Sequence, residues 1–82
     1  MIKVLFFASL REQLGCDAIE VPADALGSVA DLRSTLAGKG EAWQAALSHE
    51  QLQVAVNQEL SNMQAAISDG DEIAFFPPVT GG

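Results

Sequence analysis

A single cysteine, four basic residues and no apolar stretch long enough to cross a bilayer set the first limits on this 82-residue chain. Cys16 has no partner for an intramolecular disulfide, and one thiol cannot build an all-cysteine zinc or iron–sulfur site. Lys3, Arg11, Arg33 and Lys39 stand against eleven acidic residues. The resulting net charge of -7 has the wrong sign for phosphate backbones, which argues against nucleic acid as a partner. It favours encounter with basic patches on proteins, and it serves equally as solubilising charge. Ile2 to Leu10 is apolar but far short of a membrane span, and it lacks a basic leader and a small-residue cleavage pattern. No membrane association and a cytoplasmic location are therefore the expectation.

Charged residues make up only 18% of the chain and the AVILMFWYC set 49%, a balance that favours a packed domain over disorder. At this length one small core is expected, near the lower limit of independent stability. A partner that covers leftover apolar surface is consistent with that size.

Ile2 to Ala8 reads as an opening strand in which the position of Lys3 turns Ile2, Val4 and Phe6 inward and Leu5 and Phe7 outward. Ser9 to Gly15 reads as a short helical turn and loop. Ala18 to Val21 is a second strand, with Ile19 and Val21 inward, forming a hairpin with the first. Ser28-Val29-Ala30-Asp31 resembles a capping box, so a helix starts at Ser28, buries Val29, Leu32 and Leu36, and stops at Gly38-Lys39-Gly40. Glu41 to Leu47 is a shorter helix in which Trp43 and Leu47, four apart, cover an edge of the core.

Leu52 to Asn57 alternates at period two, with Leu52, Val54 and Val56 inward. Asn57-Gln58 is a turn and Leu60 belongs to a short returning segment. Ser68-Asp69-Gly70-Asp71 is a turn before a final strand, Glu72 to Phe76, with Ile73 and Phe75 inward and Phe76 outward. Pro77 cannot donate to a ladder and ends that strand. This order predicts an α+β fold, a single β-grasp domain over residues 1–76 with a mixed sheet and one main helix packed on one face. Residues 77–82 form an extended tail.

The tail concentrates the chemistry. Pro77-Pro78 favours polyproline II and carries the terminus away from the domain, while Gly81-Gly82 places two residues without a β-carbon at the carboxyl end. Such an end can enter a channel too narrow for side chains and present its carboxylate to a partner's active site. A carboxylate is a poor acyl donor, so reaction at Gly82 requires activation, for instance as an acyl-adenylate made from ATP. The plain alternative is a frayed terminus.

Met1 to Ala8, Arg11-Glu12, Val56-Asn57-Gln58 and above all Asp69 to Gly82, ending Phe-Pro-Pro-Val-Thr-Gly-Gly, together resemble the small, sulfur-carrying subunit of molybdopterin synthase. The resemblance implies that an E1-like enzyme adenylates Gly82 and that a sulfur donor system converts it to a thiocarboxylate. The tail (Pro77, Pro78, Val79, Thr80, Gly81) then enters the large subunit, where sulfur passes to cyclic pyranopterin monophosphate. It further implies that the chain binds no cofactor and does not turn over substrate alone. Thiamin-pathway carriers and ubiquitin-like modifiers share the di-glycine end, and a β-grasp interaction module with an inert terminus is a third alternative.

Strand parity places Phe7 and Phe76 on the outer sheet face with Leu5 and Ala74, and Leu60 and Arg11 near the rim, an apolar patch expected to dock the partner. An error of one residue in parity would instead make Phe7 core. Cys16 and His49 stand alone and read as structural. Asp69-Gly70-Asp71-Glu72 lacks the remaining ligands of a calcium loop and reads as a turn.

Overall fold

The computed structural model describes residues 1–24 and 26–78. Alternating burial along the opening residues, with Ile2, Val4 and Phe6 almost fully hidden, is what a strand lying on a helical layer requires. That strand, β1 (Ile2–Phe6), is followed by α1 (Ser9–Leu14), β2 (Ala18–Val21), α2 (Val29–Ala37) and α3 (Glu41–Leu47). The chain closes with β3 (Gln53–Val56), β4 (Glu59–Leu60) and β5 (Glu72–Phe76).

The five strands form one mixed sheet in the order β2-β1-β5-β3-β4, with β1 and β5 parallel at its centre and the other pairs antiparallel. The helices cover one face. Val29, Leu32 and Leu36 from α2, Ala46 and Leu47 from α3, and Leu10 from α1 join Ile2, Val4, Phe6, Val54, Ile73 and Phe75 in one core. Phe6 anchors it, stacked with Phe75 at 6.4 Å and edge-on to Trp43 at 5.5 Å between ring centroids. This is the expected β-grasp arrangement, and Trp43 packs as expected.

Local chemistry explains the helix ends. Ser28 Oγ accepts from the Asp31 N–H at 3.3 Å, one half of a capping box. Asp31 Oδ2 accepts from the Gly27 N–H at 3.0 Å, one residue earlier than the reciprocal bond of that motif. The remaining donors of the first turn of α2 are taken by the chain after β4: Val29 N–H bonds to Ala65 O at 3.0 Å and Ala30 N–H to Met63 O at 2.8 Å. Arg33 closes α3, donating to Leu47 O at 2.5 Å and His49 O at 2.9 Å.

Three expectations are corrected in detail. The opening strand ends at Phe6, because Ala8 turns to φ 54° and ψ -129° and α1 begins at Ser9. β1 and β2 pair antiparallel, but the connection holds a helix, so they are no tight hairpin. The strand expected over 52–57 spans Gln53–Val56, with Leu52 still buried at its entry.

Candidate functional site

The helices leave the other sheet face uncovered. Register sets its content: Ala18 lies opposite Leu5, Leu5 opposite Ala74, Ala74 opposite Ala55, and Ala55 opposite Leu60. One apolar row therefore crosses all five strands. Toward the start of β1 the adjacent row is charged, with Lys3 between Glu20 and Glu72. Toward the C-terminal end of β5 lie Phe76, paired with Gln53, and Phe7, whose N–H reaches Phe75 O at 3.2 Å.

Phe7 is 46% exposed and Leu60 72%, so two large apolar side chains project from this face. They stand roughly 15 Å apart, from three interstrand spacings and two residues along a strand. Phe7 is thus outward, and the parity is the expected one. Phe76 and Leu5 are half-buried and Arg11 is exposed on α1. Ala74 departs from the expected exposed patch: it keeps the outward parity but is only 8% exposed, because a lone methyl on a central strand is walled in by its neighbours. Ala18 and Ala55, which complete the row, escaped sequence reasoning, since only cross-strand register brings them beside Leu5 and Leu60.

Pro77 and Pro78 follow β5 and are half-buried. Val79, Thr80, Gly81 and Gly82 lie outside the described residues. Pro77 follows β5 at the centre of the sheet, on the side where Phe7 lies.

The other candidates have structural partners. Cys16 packs against the core, and His49 Nδ1 accepts from the Gln51 N–H at 3.1 Å. Asp71 closes its turn by accepting from Ser68 N–H at 2.8 Å and from the Asn57 amide at 3.1 Å. The N-terminal ammonium donates to Asp69, and that bond followed by its charge holds the Asp69 carboxyl below the usual carboxylate range. Among the described residues no group of three or more His, Cys, Asp or Glu side chains could hold a metal ion. None of the helices described is long and apolar enough to cross a membrane. A groove of about 550 Å³ lies between α2 and α3 on the helical side, lined by Ser34, Ala37, Gly38, Gly40, Glu41 and Gln44.

The sheet thus bares one apolar face, and Pro77 and Pro78 follow its central strand β5. The ThiS family profile matches residues 4–82, and so includes the tail. The chain belongs to the ThiS family. It is 52% identical to the molybdopterin synthase sulfur carrier subunit of Escherichia coli, over all of both chains. The crystal structure of SAMP1 from Haloferax volcanii superposes with a TM-score of 0.81 at 30% identity, covering 99% of this chain and 98% of that one. A complex of subunits 1 and 2 of the molybdopterin-converting factor from Helicobacter pylori contains a chain that matches with a TM-score of 0.68 at 28% identity, covering 99% and 97%. As a ThiS family member with these neighbours, the domain is a ubiquitin-like β-grasp.

Proposed function

We propose that this ThiS family protein is the sulfur carrier subunit of a molybdopterin synthase. The observation that carries the reading is the 52% identity to the Escherichia coli sulfur carrier subunit across the whole chain, tail included. An E1-like enzyme joins the Gly82 carboxylate to the α-phosphate of ATP and releases pyrophosphate. Hydrosulfide supplied by the donor system attacks the acyl carbon, the C–O bond to AMP breaks, AMP and a proton leave, and a thiocarboxylate remains. Inside the large subunit the thiocarboxylate sulfur bonds to a side-chain carbon of cyclic pyranopterin monophosphate, water cleaves the acyl carbon–sulfur bond to return the Gly82 carboxylate, and two carriers supply the two sulfurs of one dithiolene. ATP is consumed by the activating enzyme, and the large subunit provides the substrate pocket.

Dimensions support a two-part docking. The outer sheet face spans roughly 350 Å², from its strand spacing and length, against about 800 Å² per partner in a standard interface. The six residues after Phe76 reach at most about 20 Å when extended. A partner that takes both the Phe7–Leu60 face and the inserted tail reaches a stable interface, with Arg11 and Phe76 at the junction. The Helicobacter pylori complex of subunits 1 and 2 supports the large subunit as that partner.

The decisive experiment is mass spectrometry of the protein from its host, in which a thiocarboxylate adds about 16 Da to a terminus otherwise free. Fragmentation must place that mass on Gly82, since methionine oxidation adds nearly the same. Thiocarboxylated protein, the large subunit and the pterin precursor should then yield dithiolene. A relative named small archaeal modifier protein 1, 32% identical over 93% of this chain, favours a second reading as a protein modifier. Isopeptides through Gly82 to protein lysines, with no dithiolene, would decide for it.

A further inference from the structure

Resting on the docking face proposed above, we infer that Ala8 is a positioning residue whose restricted backbone, held at positive φ, keeps Phe7 ready for the partner. Three non-glycine residues described have positive φ: Ala8 at 54°, Asn57 at 51° and Gln58 at 71°. They fall beside or shortly before the two outward prongs. Ala8 follows Phe7, and the Asn57-Gln58 turn leads directly into Glu59 and Leu60. Asparagine tolerates this region through its short polar side chain, and a hairpin turn demands it. Ala8 has neither excuse, and with ψ -129° it sits in territory that suits glycine.

The surroundings show what imposes the strain. Phe6 and Leu10 are both driven into the core, 1% and 3% exposed, and only three residues separate them. Phe7 N–H stays bonded to Phe75 O at 3.2 Å, extending the parallel ladder by one residue. Behind it α1 has already begun: Leu10 N–H donates to Phe7 O at 3.2 Å and Arg11 N–H to Ala8 O at 3.1 Å. The whole change from ladder to helix therefore falls on Ala8, and its result is a Phe7 side chain facing water beside the exit of β5. Strain held by surrounding packing at the edge of an interface is a form of preorganisation. An alanine there restricts Phe7 where glycine would let it wander.

Two replacements separate position from strain. Ala8→Gly accepts φ 54° without penalty but frees the backbone. D-Alanine at the same place, introduced by chemical synthesis, also accepts it, since the mirror-image angles of -54° and 129° lie in a favoured region, yet keeps the restriction. Both proteins should melt above the parent. In the free protein, Phe7 amide exchange should quicken only in Ala8→Gly. Calorimetric affinity for the large subunit should fall about three- to tenfold in Ala8→Gly, the cost of ordering one side chain again, and hold or improve with D-alanine. Equal affinity for all three proteins would overturn the inference while leaving the docking reading intact. A parent protein that does not bind the large subunit would overturn both.

Discussion

Alanine at Phe6 and, separately, at Phe7 perturbs neighbouring residues of one ring type that face opposite sides of the sheet. Phe6 is 1% exposed and contacts the Trp43 and Phe75 rings, whereas Phe7 is 46% exposed. Removing a buried phenylalanine costs about 3–5 kcal/mol. A domain of this length holds about 4–12 kcal/mol in total, so Phe6→Ala removes from about a quarter to all of it. For a domain this small, the loss corresponds to a melting temperature lower by roughly 15–30 °C. Phe7 has only about half its surface to lose, so Phe7→Ala costs about 1 kcal/mol of fold stability. If it is a central anchor of the docking face, it costs at least about 2 kcal/mol of binding, or some 30-fold in affinity. Urea denaturation of each variant gives the first quantity and calorimetric titration with the large subunit the second. The reasoning fails if Phe7→Ala unfolds the domain as severely as Phe6→Ala, or if its affinity loss is no larger than its stability loss accounts for.

Three further predictions test other links. Leu60→Asp, at a position 72% exposed on a two-residue edge strand, should leave the melting temperature nearly unchanged while abolishing measurable binding to the large subunit; unchanged binding would remove Leu60 from the interface. Ser28→Ala deletes the acceptor for the Asp31 N–H and should cost about 1 kcal/mol in urea denaturation, with Ser28→Asp largely restoring it. Asp69, held below its ordinary value of 3.8 by the N-terminal ammonium, stabilises the fold above that pH and stops doing so as pH falls through its folded pKa. Asp69→Asn should therefore lose less stability than the parent between pH 4 and the acid limit, a difference that salt reduces; identical acid profiles at low salt would refute the assignment.

Much of the fold was legible because its signals are local. The inward parity of Ile2, Val4, Phe6, Ile73 and Phe75, the Ser28 cap, the Gly38-Lys39-Gly40 stop with Gly40 at φ 157°, and the Asp69-Gly70 turn each follow from side-chain period, a capping hydroxyl or backbone permissiveness within a few residues. The outward direction of Phe7 was read correctly for the same reason. Ala74 was misjudged as open surface, because exposure on a sheet depends on neighbours contributed by other strands. The end of the last strand was legible in residue order alone, since Pro77 has no N–H for the ladder and β5 stops at Phe76.

Composition and order alone thus determined a small acidic domain with one apolar core. Only tertiary structure decided that β5 lies parallel to β1 at the sheet centre, a pairing of residues about seventy positions apart that no local pattern encodes. That pairing sets Pro77 at the sheet centre, assembles the row from Ala18 to Leu60, and forces the turn onto Ala8. Alanine carries no sequence signal for positive φ, so its strain emerges only when Phe6 and Leu10 are buried at once.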